Sequence, residues 1–236
     1  MRLTRVRAEN GLIRSTTILG MTAGGRAALG GDGQVTNGSV ILKANARKTR
    51  RLAGGTVLAG FAGSAADGLQ LFERFEAKLE AFHGNLRRAA VELARDWRSD
   101  RVLRRLDAQL AAVNAETALL LSGSGDVVEP DDGIVAVGSG GPFALAACRA
   151  LRRHTGLDPA RCVAEALAIA SEMCVYTGAV QEILILPESD PELGRGLGRA
   201  SEPESARDSG TGPDSGTGPD SGSDPGPNPA AGEDRS

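Results

Sequence analysis

Histidine and cysteine are scarce in this 236-residue chain, and their scarcity removes whole classes of chemistry. The two histidines, His83 and His154, have no cysteine at ligand spacing, so a zinc site is not expected. The three cysteines, Cys148, Cys162 and Cys174, make an odd count without a CxxC pair. They read as reduced, mostly buried thiols of a reducing compartment rather than as a disulfide framework. No apolar run approaches the ~20 residues that a membrane-spanning helix needs. The first fifteen residues are basic, through Arg2, Arg5, Arg7 and Arg14, yet they lack the apolar stretch of a secretory signal. These absences predict a cytoplasmic protein with no membrane association. No GxxxxGK[ST] phosphate loop is present, so any use of ATP must lie in another chain. A net charge of −3 argues against a nucleic-acid binder. The basic stretch Lys43, Arg47, Lys48, Arg50 and Arg51 reads at first as a solvated face.

What is present divides into three parts. Residues 1–15 form a basic leader. Residues 16–187 mix apolar runs and charges as a single domain with a sizeable core does. Residues 188–236 are acidic and rich in Gly, Ser, Pro and Asp. Asp208-Ser-Gly-Thr-Gly-Pro repeats at Asp214, and such a tail is expected to be disordered.

Periodicity orders the middle part. Thr16–Met21, Ala27–Gly31, Ser39–Leu42, Lys48–Leu52 and Thr56–Phe61 read as strands, with turns at Ala23–Arg26 and Ala53–Gly55. Helical spacing follows. Ala65, Leu69, Phe72, Leu79 and Phe82 share one face, with Ser64 as a cap and Gly84 as a stop. Asn85 caps a second helix on which Leu86, Ala90, Leu93 and Trp97 fall in register, extending with a break near Ser99 to about Leu110. Thr117–Leu121, Val127–Val128 and Gly133–Gly138 are strands. Helices Phe143–Arg153 and Asp158-capped Pro159–Met173 come next, and Glu182–Leu186 closes the series. Helices in consecutive pairs between strand blocks argue for an α+β fold: two antiparallel sheets between two helical layers.

One dipeptide stands out chemically. A threonine inside a chain is a poor nucleophile, but at an N-terminus its own α-amine, pKa about 8, lies within reach as a base. A cut between Ser15 and Thr16 would give Thr16-Thr17 that character. Asp32 follows sixteen residues on, inside Gly30-Gly31-Asp32-Gly33-Gln34, and Lys48 another sixteen on. Ser139 lies in the Gly-rich turn Gly138–Pro142. Singly these read as an Asx-turn aspartate, an edge lysine and a helix-capping or anion-binding serine. In this order they are the parts of an N-terminal nucleophile hydrolase, with backbone amides of Gly60-Phe61-Ala62-Gly63, read as a strand-to-helix turn, available as oxyanion donors.

From Thr16 to about Leu186 the chain resembles the HslV (ClpQ) family, bacterial threonine peptidases related to proteasome β subunits. The resemblance rests on Thr16-Thr-Ile18, Gly31-Asp-Gly-Gln34, Lys43-Ala-Asn-Ala-Arg-Lys48-Thr-Arg-Arg-Leu52, Ala59-Gly-Phe-Ala-Gly63, Ala89–Arg98 with its Asp96-Trp97-Arg98, Asp100–Arg104, Gly138-Ser-Gly-Gly-Pro142 and Cys174-Val-Tyr-Thr177. It implies a four-layer αββα sandwich, the N-terminal nucleophile hydrolase fold. It implies that Thr16 is the nucleophile, that Lys48 lowers the amine pKa, that Asp32 holds this lysine and the N-terminus, and that Ser139 hydrogen-bonds near the amine. It implies a sodium ion on the backbone carbonyls of Ser171, Cys174 and Thr177. It further implies a homo-oligomer of two stacked hexameric rings, fed with unfolded polypeptide by an HslU-type AAA+ ATPase unfoldase. The chain departs from the family in its fifteen-residue leader, in its tail, in Ser171 where glycine is usual, and in Gly178 where asparagine is common. Two other readings compete: an N-terminal nucleophile amidohydrolase acting on a small amide, and a non-catalytic ring subunit.

Overall fold

A computed structural model describes residues 16–37, 39–100 and 108–187. The leader 1–15 and the tail 188–236 expected above lie outside the described residues. β1 (Thr17–Ala23) and β2 (Arg26–Asp32) form a hairpin on Gly24 and Gly25, both at positive φ. Positive φ at both central residues suits the turn to the twist of the strands, and glycine takes it without strain. β11 (Gln181–Leu186) and β10 (Ile134–Gly138) flank the hairpin, giving a four-stranded antiparallel sheet in the order β10-β1-β2-β11. A second sheet runs β5 (Thr49–Leu52), β6 (Val57–Gly63), β7 (Ala108–Val113), β8 (Ala118–Ser122), β9 (Val127–Val128). β3 (Val35–Asn37) and β4 (Val40–Lys43) pair only with each other.

The two sheets face one another across Ile18, Leu29, Leu58, Ala111, Val113, Val135 and Val137. Leu19, Met21 and Ala28, on the other face of the first sheet, pack with helices α3 (Gly141–His154) and α4 (Pro159–Met173). Phe61, Leu110 and Leu121, on the outer face of the second, pack with α1 (Ala65–Ala81) and α2 (Leu86–Ser99). This is the four-layer αββα sandwich. It explains why six of the seven residues of β1 are buried: both its faces are covered.

Four local expectations need correction. The second helix ends at Ser99, and Leu110 lies in the middle of β7, wholly buried and paired with Phe61 and Leu121. Alanine and leucine favour helix locally, but the sheet needs a strand between β6 and β8, and tertiary packing overrides propensity. Ser64 stands at the N-cap of α1 but makes no side-chain cap bond, and Ser139 lies one residue before the Gly140 N-cap of α3, whereas Asn85 accepts from the Arg88 N–H (3.0 Å) and Asp158 from Ala160 and Arg161. Gly60–Gly63 is not a turn but the last four residues of β6. β3, three residues long, was too short to carry a pattern.

Candidate active site

The β1–β2 register pairs Ile18 with Gly31, which sets Thr17 and Asp32 beside each other at the open end of the hairpin. That pairing is the physical content of the sixteen-residue spacing between Thr16 and Asp32. Asp32 is 1% exposed. Its Oδ1 accepts the Thr17 amide at 2.6 Å and the Lys48 ammonium at 3.5 Å. Its Oδ2 accepts the amides of Gln34 (2.9 Å) and Gly178 (3.0 Å). The bond from the Gln34 amide to the Asp32 carboxylate is the Asx turn expected of a lone Asp-Gly.

Lys48 is not an exposed edge lysine. It immediately precedes β5, where its carbonyl accepts the Phe61 amide at 3.2 Å, and its side chain is 5% exposed. The ammonium donates to the Gln34 carbonyl and pairs with Asp32. Burial lowers the pKa of Lys48 below its ordinary 10.5, and the charge and hydrogen bond of Asp32 only partly offset that.

Thr16 is 3% exposed and precedes β1 directly. Its carbonyl accepts the Ser139 amide at 2.9 Å. Gly138, at φ +91°, lies so close that a Cβ there would stand 1.9 Å from the Thr16 carbonyl oxygen and 3.1 Å from the Ala62 Cβ. Glycine is therefore required at the end of β10, and the end of β6 borders the same spot. Ser139 itself is exposed, with its backbone rather than its side chain tied to Thr16. The Thr17 hydroxyl accepts the Gly140 amide (3.0 Å) and shares a hydrogen bond with the Thr177 hydroxyl (2.7 Å). Thr16, Asp32, Lys48, the Ser139 backbone and Thr177 thus converge from five separate segments.

The carbonyl set expected for sodium lies at the C-terminal end of α4. Ser171 is in the last turn of that helix and outside the positive-φ residues, so its backbone is one that serine adopts without strain. Cys174 caps the helix and its carbonyl accepts the Thr177 amide at 2.9 Å. Terminal carbonyls at the negative end of a helix, neutral and hard, suit a small cation. Among the described residues no cluster of His, Cys, Asp or Glu could hold a metal instead.

Sequence reasoning passed over the Gln34 backbone and amide, both threonine hydroxyls and the Gly178 amide. Thr17 and Thr177 lie 160 residues apart, and no spacing rule joins them. A cavity of about 470 Å³, lined by Thr22, Asp132 and Arg152 among others, lies at the far end of β1, roughly 20 Å from Thr16 by strand rise, and takes no part in this arrangement.

The profile of the proteasome subunit family matches residues 13–186. The ATP-dependent protease subunit HslV of Chlorobium luteolum is 58% identical over 166 residues, which span 70% of this chain and 91% of that protein. The crystal structure of eukaryotic HslV from Trypanosoma brucei superposes with a TM-score of 0.68 at 44% identity, covering 72% of this chain and 98% of that one. Thiobacillus denitrificans BPH, solved in complex with epoxomicin, shares the fold at 21% identity and a TM-score of 0.57, over 72% of this chain and 97% of that one.

Proposed function

The chain belongs to the proteasome family, on its HslV branch, and from that premise we propose that Thr16 is the nucleophile of a threonine peptidase, uncovered by removal of residues 1–15. The protein is the peptidase subunit of an ATP-dependent protease. With no phosphate loop of its own, it leaves ATP to an HslU-type AAA+ unfoldase, which delivers unfolded polypeptide to a double hexameric ring of this chain. The reading puts the protein in the cytoplasm. Among the described residues no helix is long and apolar enough to cross a membrane.

The observation that carries the reading is the buried Asp32 carboxylate, which holds both the Lys48 ammonium and the amide one residue after Thr16. Once the Ser15–Thr16 bond is cut, the α-amine of Thr16 takes the proton of its own hydroxyl, directly or through a water. The oxygen adds to the substrate carbonyl carbon, the C–N bond breaks, and the proton passes to the departing amine. Water then hydrolyses the ester. The Lys48 charge disfavours protonation of the α-amine and keeps it a base near neutral pH. Asp32 aims Lys48 and fixes the backbone of Thr17. The Ser139 amide grips the Thr16 carbonyl, and the Ser139 hydroxyl would hydrogen-bond near the freed amine. The Gly63 end of β6 supplies the oxyanion donor, a contribution of roughly 3–4 kcal/mol. The carbonyls of Ser171, Cys174 and Thr177 would hold a sodium ion, whose charge would brace the loop that reaches Thr17 and Asp32.

Hydrolysis of a fluorogenic peptide, with and without the unfoldase and ATP, tests this. The native protein should cleave, and cleave faster with the unfoldase. Thr16→Ala should lose activity by a factor on the order of 10³ or more, and Thr16→Ser should retain part of it. Full activity in Thr16→Ala would sink the assignment.

A further inference from the structure

Gln34 spends three of its four polar groups on the site. Its amide donates to Asp32 Oδ2 at 2.9 Å. Its carbonyl accepts the Lys48 ammonium. Its side-chain Nε2 donates to the carbonyl of Val175 at 3.1 Å, 141 residues away. The residue is 6% exposed, although Val175 beside it is 81% exposed. The loop that carries Val175 returns twice to the same centre, through the Thr177 hydroxyl on Thr17 and the Gly178 amide on Asp32 Oδ2. It also presses on Gln34 directly: a Cβ added at Gly178 would lie 2.9 Å from the Gln34 Cβ.

We propose that Gln34 is a positioning residue that latches the 174–178 loop to the Lys48–Asp32 pair, so that the loop's conformation sets where the Lys48 ammonium stands. The inference rests on the peptidase reading above. The partners of Lys48 include a charged side chain and the Gln34 carbonyl, and the latter moves with the Gln34 backbone. The side-chain Nε2 of Gln34, through its bond to the Val175 carbonyl, is what ties that backbone to the loop. Cutting this tie leaves every catalytic group in place but loosens the geometry among them. Such a loss falls on turnover rather than on substrate binding, because small misplacements of reacting groups raise the barrier steeply.

The experiment uses Gln34→Met, which keeps the length and the backbone bonds but removes the donor, together with Gly178→Ala, which pushes the loop away while leaving the Gln34 amide intact. Peptide hydrolysis is measured on the full ring, and amide hydrogen exchange is followed by mass spectrometry. Both variants should lower kcat about tenfold or more with KM within about twofold, and both should speed exchange in 174–178 while β1, β2 and β11 exchange as in the native protein. An unchanged kcat in Gln34→Met overturns the proposal. So does a kcat loss accompanied by faster exchange throughout the first sheet, which marks general destabilisation. Thr16→Ala is run alongside: if it stays active the peptidase reading itself fails, whereas a dead Thr16→Ala beside a fully active Gln34→Met removes the latch alone.

Discussion

Lys48 carries the sharpest physical consequence at the scale of single residues. Its lysine is depressed below 10.5 chiefly by burial, against the pull of Asp32. The protonated form is the one the mechanism needs, so activity should fall as pH rises through the lowered value, with the alkaline limb of kcat/KM below 10.5. Stability runs the other way. Between the lowered pKa and 10.5 the unfolded chain binds more protons than the folded one, so the burial penalty on the ammonium is relieved as pH rises across that window. A pH–rate profile that stays flat beyond 10.5 would contradict the assigned charge. The cysteines make a complementary case. Burial pushes the Cys148 thiol up to about 12 and raises Cys162 as well. With so little thiolate, neither should react with iodoacetamide at pH 8 in the native protein, though both should in denaturant. Labelling of native Cys148 at the rate of a free thiol would show that its surroundings are misjudged. Much at this scale was legible from order along the chain: Thr16, Asp32 and Lys48 are recognisable because a hairpin and a following strand convert a spacing of sixteen into contact. Gln34 was not, because its function lies in a bond to a backbone carbonyl, and a backbone carbonyl has no residue type to betray it.

Elements show where local chemistry decides and where packing does. Asn85 and Asp158 announce their helices because each side chain takes up amides of the first turn, and both were readable in advance. Ser64 and Ser139 have the right residue type and make no such bond. β7 is the clearest override: Ala108–Val113 is built of helix-favouring residues and is held as a strand by neighbours on both edges. Close approach between elements is equally invisible in sequence. Gly30 in β2 lies under α4, where an added Cβ would be 2.7 Å from Leu167 Cδ1 and 2.9 Å from Val163 Cγ1. Gly30→Ala should therefore destabilise the protein by about 1–3 kcal/mol, read as a lowered Tm, whereas Gly156→Ala, with open space around its site, should leave Tm nearly unchanged. Equal Tm values for the two variants would mean that β2 and α4 are not packed as described.

At the scale of the whole molecule the fold serves one end. Each of the two sheets delivers a strand terminus to the same point: β1, β2 and β10 from one, and the start of β5 and the end of β6 from the other. The loop after α4 closes over it. The layer order was predictable from paired helices between strand blocks, since only a sandwich buries the apolar faces of both. Thr16 lies buried at the head of a central strand with its carbonyl held by the Ser139 amide, and on the proposed reading removal of residues 1–15 gives this fixed residue the α-amine that serves as its base. The measurement that tests this account most directly is the intact mass of the purified subunit, native and Thr16→Ala, taken with peptide hydrolysis on the same samples. The account predicts a native chain that begins at Thr16 and is active, and an alanine variant that still carries residues 1–15 and is inert while its rings assemble. A native chain that cleaves peptides while retaining Met1–Ser15 would contradict it.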